Sequence, residues 1–275
     1  MTELETLLLG VGFAGLVVAA GLRWLYLLRG DVRDRRVGTG TAWVGLLAWT
    51  AGWLGRGLVA GAWPLATTYE FALAWTAVAA GTALLFERVS GESAMGAGAW
   101  PIAAGLAGYA LFGGAPGAGP PQPLPPALDS PWLLVHVTAA AVGYGGAAVA
   151  AGAGAMALVA RASANRLLLP PPPRSDGLTR RAVAWAYPWL CLGLLAGAIW
   201  AQVAWGRYWN WDLKETWALI TWLIYTLALH VASVPRWRGW PVAMLTLLGL
   251  GVMLFTFLGL GSLARLLGLT SLHVY

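Results

Sequence analysis

Eight apolar stretches constrain what this chain can fold into, because each is near the roughly 20 residues that a helix needs to cross a bilayer. They cover residues 5–28, 38–60, 69–87, 94–114, 132–160, 182–204, 215–233 and 241–261. Charged residues make up only 10% of the chain, whereas soluble domains carry about 25%. The sequence therefore predicts an all-α integral membrane protein with about eight transmembrane helices and no sizeable soluble domain.

Basic residues between the stretches predict the orientation of the helices. One side holds twelve arginines, in loops 29–36, 87–93, 161–181 and 234–240. The opposite side holds only four basic residues, and short loops rich in Lys and Arg stay in the cytoplasm. We therefore expect both termini, loop 115–131 and the Trp-rich residues 205–217 to lie on the outer side. No nucleic-acid motif accompanies these arginines, so we expect no nucleic-acid partner.

Two proline-rich segments are expected to be irregular or polyproline-like. One is the outer connection APGAGPPQPLPPALDSP at residues 115–131, and the other is the inner linker LLLPPPPRSDG at residues 167–177. The outer connection separates an N-terminal four-helix membrane part, residues 1–114, from residues 132–275. The chain holds a single cysteine, Cys191. Because one cysteine forms no internal disulfide or CxxC pair, thiol redox chemistry must belong to other proteins.

The densest aromatic stretch is WGRYWNWDLKETWALITWLIYTLALH at residues 205–230. Six of the 18 tryptophans fall between residues 200 and 222, about four times an even spread. Asp212 followed three residues later by Glu215 predicts a helix N-cap with a capping box, so that a helix begins near Leu213. An aromatic belt at the membrane surface is the simplest alternative. A belt requires aromatic residues at one depth, however, and does not require this spacing followed by Lys-Glu.

The stretch resembles the Trp-rich WWD signature of the haem-handling cytochrome c assembly family. Within that family, WGRYWNWDLKETWALITW is similar to the CcsA (ResC) branch, although Leu213 stands where that branch has Pro. WPLATTYEF at residues 63–71 resembles, more weakly, a Pro-Leu-x-x-x-Tyr-Glu segment of the same branch. Glu70 in that segment has the simpler interpretation of an acidic residue favoured at a helix N-terminus. The resemblance covers about residues 60–275 and makes residues 132–275 a haem-handling core.

The chain has only three histidines. His136 is predicted to lie about one turn into the fifth span from the outer side, His273 lies in the outer tail, and His230 lies inside the seventh span. A lone histidine in an apolar helix is commonly a packing residue, although an ionisable group within a membrane span favours a functional role. The predicted topology places His136 and His273 beside the Trp-rich loop.

The resemblance implies what these residues bind. Two histidines flanking the Trp-rich loop are expected to hold haem iron, and they match His136 and His273. A transmembrane histidine downstream of the loop matches His230, as the iron ligand of an inner haem site. The cofactor is expected to be haem b, and its binding residues beside the loop are expected to be Trp205, Trp209, Trp211, Asp212 and Trp217.

Helix geometry separates His230 from the outer pair. Fourteen residues separate it from Thr216, which is about 20 Å along a helix, so it lies toward the inner side of a hydrocarbon core about 30 Å thick. We expect the face that carries His230, with Leu223 and Thr226, to form an interior stripe.

The implied function is delivery of haem to the outer face of a bacterial inner (plasma) membrane and its covalent attachment to apocytochrome c. The implied reaction adds the two thiols of a CxxCH motif to the haem vinyl groups, and the chain would be a subunit of a system II cytochrome c synthase. The implied partners are a CcsB (ResB) membrane subunit and thioredoxin-like thiol reductants. A haem exporter or haem chaperone without ligase activity is the nearest alternative, and a transporter of an unrelated substrate is a more distant one.

Overall fold

The computed structural model of the chain describes residues 3–120, 130–163 and 167–260. Within these residues the chain forms eight long α-helices and no β-strand. The helices are α1 Glu3–Arg29, α2 Val32–Ala60, α3 Thr68–Ser90, α4 Gly96–Phe112, α5 Pro131–Ala162, α6 Pro172–Trp205, α7 Leu213–Ser233 and α8 Trp240–Leu254. Short 3₁₀ turns cover Ser93–Met95 and Pro235–Trp237, and a π-helical turn, Phe255–Gly259, continues α8. The predicted all-α fold is confirmed.

Of the described helices, seven are long and apolar enough to cross a membrane, with α4 extended by its 3₁₀ turn and α8 by its π-helical turn. The other long helix, α2, is less hydrophobic, because it contains many glycine, threonine and tryptophan residues. It packs tightly along α1, since a Cβ added to Gly15 would lie 2.6 Å from the Gly45 Cα. Small residues at such a contact let membrane helices approach closely. The chain is a multi-pass membrane protein.

The connections between helices form two ends of the bundle. The tryptophan end comprises residues 61–67, 113–120 and 206–212, and the arginine end comprises residues 30–31, 91–95, 163, 167–171 and 234–239. Connections also contact helix ends at their own end of the bundle. Tyr69 N donates to Pro116 O at 3.0 Å at the tryptophan end, and Leu168 N donates to Leu27 O at 3.2 Å at the arginine end. The side of the membrane that each end faces stays a prediction.

Helix α5 lies at the centre of the bundle and contacts α3, α4, α6 and α8. Its glycine- and alanine-rich middle part permits this close packing. A Cβ on Gly152 would lie 2.4 Å from Ala99 N on α4, and a Cβ on Gly145 would lie 2.6 Å from Val78 on α3. The helix that carries His136 is therefore held from several sides by backbone-to-backbone contact.

The inner proline-rich linker is shorter than predicted. Residues 167–171 are irregular, but α6 already begins at Pro172, so the expectation of an irregular segment up to residue 177 is wrong. Proline is tolerated in the first helical turn because the N–H that it lacks has no intrahelical partner there. The Ser175 hydroxyl donates to Pro170 O at 2.8 Å and secures this start. In the outer connection, residues 121–129 lie outside the described residues.

Each end of the bundle holds a buried arginine. At the arginine end, Arg23 is fully buried and forms a two-pronged ion pair with Glu87, with N···O distances of 3.0 and 2.6 Å. The Trp100 indole N–H also donates to Glu87, at 2.7 Å. At the tryptophan end, Arg56 pairs with Glu70 at 2.9 Å and with Glu5 at 3.4 Å. Because losing one member of a buried ion pair leaves an uncompensated charge, such clusters fix which helices meet.

Candidate ligand cavity

A cavity of about 200 Å³ opens at the tryptophan end between α5, α6, α7 and the π-helical turn after α8. Its lining is mainly apolar and aromatic, with a rim formed by residues 65–68. Along α5 the lining runs from Leu133 to Tyr144, which is about 16 Å at 1.5 Å per residue. An apolar pocket with a few polar groups is the usual form of a small-molecule site.

His136 lies in the cavity wall with a defined ring orientation. Its Nδ1 lies 2.7 Å from the carbonyl oxygen of Gly193 on α6. A carbonyl oxygen only accepts, so Nδ1 carries the proton and the lone pair of the neutral imidazole is on Nε2. Histidines that bind metals are commonly oriented in this way, by a hydrogen bond from the other ring nitrogen. The prediction that His136 faces the Trp-rich region is confirmed by its place in this wall, while its role as an iron ligand stays a prediction.

The position of His136 depends on two features of α6. Trp200 lies nearly parallel to the imidazole, at an interplanar angle of 11° and a centroid distance of 6.1 Å. Gly197 lies against the ring, because a Cβ at this residue would be 2.6 Å from His136 Nδ1 and 2.7 Å from Cε1. The absence of a side chain at Gly197 therefore makes the space that the imidazole occupies.

The start of α7 forms the part of the wall that follows the Trp-rich loop. Asp212 is its N-cap, and the Asp212 Oδ1 accepts from Lys214 N at 2.7 Å and from Glu215 N at 3.0 Å. Glu215 reaches back, and its Oε2 accepts from Asn210 N at 2.7 Å and from Asp212 N at 3.3 Å. The predicted capping box and the predicted helix start at Leu213 are confirmed. The Glu215 carboxylate thus extends the cap into the Trp-rich loop and holds Asn210 and Asp212 in place.

The predicted tryptophans occupy different places around the cavity. Trp209 lines it, and its buried indole Nε1 has no hydrogen-bond partner among the described residues. Trp211 packs edge-on against Trp209 at 5.8 Å and is 71% exposed. Trp205 packs against Trp200 at 4.7 Å, and Trp217 packs against Phe255 at 4.6 Å. Of the predicted set, Trp209 belongs to the lining itself, and the others support it or face outward.

The backbone at Trp211 is strained. Its φ is 57°, a left-handed value that a bulky side chain rarely adopts. Such strain costs of order 1–3 kcal/mol and persists where the surroundings impose it. Here the residue lies between Trp209 in the cavity wall and the N-cap Asp212. The loop is therefore set in a conformation that holds one indole in the wall and exposes the next.

The rim at residues 65–68 is held by Glu70. Its Oε1 accepts from Arg56 Nε at 2.9 Å, and its Oε2 accepts from Ala66 N at 2.9 Å and Thr67 N at 3.3 Å. Arg56 Nη2 in turn donates to Gly117 O and Gly119 O, at 2.9 and 2.8 Å. Glu70 is thus more than an acidic residue favoured at a helix start. It connects the buried arginine to the backbone that borders the cavity.

The end of α8 completes the wall opposite the loop. The π-helical turn Phe255–Gly259 places Thr256 and Phe257 in the lining. Single π-helical turns within α-helices are frequent at functional sites. Phe257 packs with Phe71 at 5.2 Å and with Trp75 at 5.5 Å, so the floor of the cavity is aromatic.

One of the two remaining histidines, His230, lies apart from the cavity. His273 lies outside the described residues. His230 is on α7, near the arginine end, and its side chain is exposed on the surface of the bundle. The expected interior stripe is wrong for this part of α7, since Leu223 on the same face is 50% exposed. The structure therefore separates His230 from His136, as the helix length predicted, and places it on a surface that another chain can reach.

Sequence reasoning missed several residues of the cavity. Trp200 was counted in the tryptophan cluster but not assigned, although it lies on the helix that leads into the loop. Gly193 and Gly197 lie four residues apart and hence on one helix face, and this spacing was an available signal. Lys214 was part of the recognised motif, and its place in the lining follows only from the three-dimensional structure.

Residues 65–267 match the cytochrome c assembly protein family. The cytochrome c biogenesis protein CcsA of Synechococcus elongatus is 32% identical over an alignment of 270 positions. The match covers 80% of this chain and 81% of that protein. The corresponding protein of Gloeobacter violaceus is 29% identical, and the match covers 100% of this chain and 97% of that protein.

A solved structure with a similar fold is that of the cytochrome c haem lyase CcmF. The TM-score is 0.70 at 23% sequence identity, and the match covers 96% of this chain and 52% of that one. This chain therefore spans about half the length of CcmF, and the likeness concerns the fold. The match over residues 65–267 and the 32% identity to CcsA show that the chain belongs to the cytochrome c assembly protein family, with a role in cytochrome c maturation.

Proposed function

We propose that the chain binds haem b in the cavity at the tryptophan end and presents it to apocytochrome c for covalent attachment. The observation that carries this proposal is the His136 imidazole, which lies in an apolar cavity with its Nδ1–H on the Gly193 carbonyl. Haem iron takes histidine as an axial ligand in many proteins. Nε2 of His136 is the nitrogen that would ligate the iron.

The residues of the cavity suit a flat apolar ring with an axial imidazole. The imidazole occupies the space left by Gly197, and aromatic rings form the walls and the floor. The indole Nε1 of Trp209, which is buried without a partner among the described residues, offers one donor to a polar group of the ligand. Haem is cargo here, and the chain's own contribution is to bind, orient and shield it.

The volume of the cavity suggests which part of the ligand stays outside. Pockets for drug-sized ligands measure about 300–1,000 Å³, whereas this cavity measures about 200 Å³. A haem would therefore enter it only in part, and the remaining edge would lie at the mouth. That edge is where a vinyl group would meet a cytochrome thiol.

The second axial ligand in this proposal is His273. The resemblance to the CcsA branch assigns it, and the end of α8 supports the assignment, because Phe257 lines the cavity just before the tail begins. Trp205, Trp211 and Trp217 would stabilise the loop around the ligand, and Asp212 would cap α7 beneath it. Residues 132–275 then act as the haem-handling core, with residues 1–114 supporting its rim.

The proposed reaction adds each thiol of a CxxCH motif across a haem vinyl group. A sulfur–carbon bond forms, the vinyl double bond becomes a single bond, and the thiol hydrogen ends on the neighbouring carbon, so no oxidant or reductant is consumed. No general acid or base of this chain is assigned. Its contribution is to hold the ring against the thiols in a reactive geometry. Thioredoxin-like proteins would keep those thiols reduced.

We further assign His230 to an inner haem site shared with a CcsB (ResB) subunit. The exposure of His230 on the surface of α7 supports this arrangement, because a ligand from another chain needs such a surface. The tryptophan end would then face the periplasm or extracytoplasmic space of a bacterial inner membrane, and the arginine end would face the cytoplasm. Haem entering from the cytoplasm would reach the inner site first.

The first experiment is the visible spectrum of the purified protein in complex with its partner. Wild-type protein is expected to carry haem, and His136→Ala or His273→Ala is expected to shift the spectrum and lose cytochrome assembly. Added imidazole should restore part of the ligation, which distinguishes a lost ligand from a lost fold. If both variants assemble cytochrome c normally, the axial-ligand proposal is wrong. A preparation without any haem band would favour a transporter of another substrate.

A second experiment separates attachment from delivery. The chain and its partner are co-expressed with an apocytochrome c carrying CxxCH, and covalent haem is detected by peroxidase staining after denaturing electrophoresis. Covalent haem that depends on both subunits supports the ligase. Haem-loaded complex without covalent product identifies an exporter or chaperone instead.

A further inference from the structure

Among the described residues that line the cavity there is one lysine, Lys214, and no arginine. Lys214 is the second residue of α7, and its side chain is exposed at the tryptophan end. Its ammonium group forms no ion pair with a carboxylate of the described residues, because the ion pairs there belong to arginines. A cation at the border of an apolar cavity indicates the charge of what the cavity binds.

The nearby carboxylates are engaged with backbone groups. Asp212 Oδ1 accepts two backbone N–H groups of the first turn of α7, and Glu215 Oε2 accepts two from the loop. Both carboxylates lie at the helix N-terminus, where the helix dipole favours their negative charge. Lys214 remains available to a negative charge that comes from outside the chain.

A neutral donor lies in the same wall. The indole Nε1 of Trp209 is buried, and it has no hydrogen-bond partner in the part of the chain that the structure describes. A buried donor without a partner costs about 1–3 kcal/mol. An anionic ligand group would satisfy that donor and the ammonium together.

We propose that Lys214 and the indole N–H of Trp209 bind a carboxylate group of the cavity's ligand, which on the proposed function is a propionate of haem. This inference rests on that function and deepens it, because a bound propionate fixes the rotation of the ring in the cavity. The ring would then be oriented by two attachments: His136 at the iron and Lys214 at the carboxylate. The opposite edge, which carries the vinyl groups, then lies away from Lys214.

The experiment compares protohaem with its dimethyl ester, in which both carboxylates are masked. Purified full-length protein is titrated with each compound, and binding is followed by visible absorbance. A charge-assisted hydrogen bond contributes enough for the wild type to prefer the free acid about tenfold. Lys214→Met should reduce this preference to about one by weakening binding of the free acid alone. Lys214→Arg, which keeps the positive charge, should retain most of it.

The matched control is Arg207→Met. Arg207 is a basic residue of the same loop, but it is exposed, donates to Asn210 Oδ1 at 2.6 Å and is absent from the cavity lining. The Arg207→Met substitution removes one positive charge from the same end of the bundle and should leave the preference for the free acid unchanged. If Arg207→Met lowers the preference as much as Lys214→Met, the effect is general electrostatics and the inference is wrong.

The outcomes distinguish this inference from the function on which it rests. If Lys214→Met keeps the tenfold preference, or loses both compounds equally, Lys214 does not bind the carboxylate. If the wild type binds both compounds equally, haem binding stands and the carboxylate site is refuted. Binding of neither compound refutes the proposed function and this inference with it.

Discussion

Gly197→Ala tests whether the position of the His136 imidazole controls the site. A Cβ at residue 197 would lie 2.6 Å from His136 Nδ1, whereas ordinary contact begins at 3.4 Å, so the ring must retreat by about 0.8 Å. Gly193 is on the same face of α6 one turn away. The same retreat lengthens the 2.7 Å hydrogen bond to Gly193 O to as much as about 3.5 Å, which is no longer a hydrogen bond by normal geometry.

The expected loss follows from that displacement. Losing the hydrogen bond that orients a metal-binding histidine lowers affinity by about tenfold to a hundredfold. Overpacking costs about 1–3 kcal/mol of stability, and the gain of about 1 kcal/mol from Gly to Ala in a helix offsets part of it. We therefore expect a protein that folds with nearly normal stability but binds haem at least tenfold more weakly.

The assay is a haem titration of purified protein followed by visible absorbance, with thermal unfolding measured in parallel. Gly177→Ala is the matched control, because it adds the same methyl group to the same helix where no atom lies within 4 Å. The control should keep wild-type affinity and gain slightly in stability. Equal affinities for the two variants would refute the reasoning, since His136 would then tolerate a displaced ring or would not ligate the ligand.

Three further tests address the rim of the cavity, its wall and the proposed inner haem site. Glu70→Gln should lower both the unfolding temperature and the haem content, because Glu70 holds the rim, whereas Glu87→Gln at the opposite end should lower the unfolding temperature alone; calorimetry and haem content per protein give the comparison. Trp209→Ala should lower haem content more than Trp240→Ala, which removes an exposed indole from the arginine end; equal losses would favour a plain aromatic belt. His230→Ala should reduce loading of the cavity from cytoplasmic haem when the partner subunit is present, measured as haem content of the complex, and wild-type loading would make His230 a packing residue.

Features that depend on neighbouring residues in the chain were predictable from the sequence. The start of α7 at Leu213 was predicted because a capping box joins Asp212 and Glu215, three residues apart. The apolar spans were predicted because their length and composition alone satisfy the bilayer. The inner linker was predicted too long because proline, which ends a helix from within, also suits its first turn, as at Pro172.

Features that depend on contacts between distant helices were not predictable. The stacking of Trp200 on His136 joins α6 to α5, and no periodicity within either helix encodes it. The error at His230 has a different cause. A membrane helix faces lipid that is as apolar as the protein core, so Leu223 on the same face gave no indication of whether that face is buried or exposed. In a soluble protein the same pattern would have distinguished the two.

The cluster around Arg56 has a consequence for how the protein is made. Domains form from the N-terminus during synthesis, and the partners of Arg56 emerge in the order Glu5, Glu70, Gly117 and Gly119. The guanidinium thus acquires its last acceptors only when the ribosome has passed the fourth helix. The rim at residues 65–68 is then held in place before His136, the residue that would bind the iron, has emerged. During biogenesis the rim would therefore be set first, and the proposed iron ligand would join it afterwards.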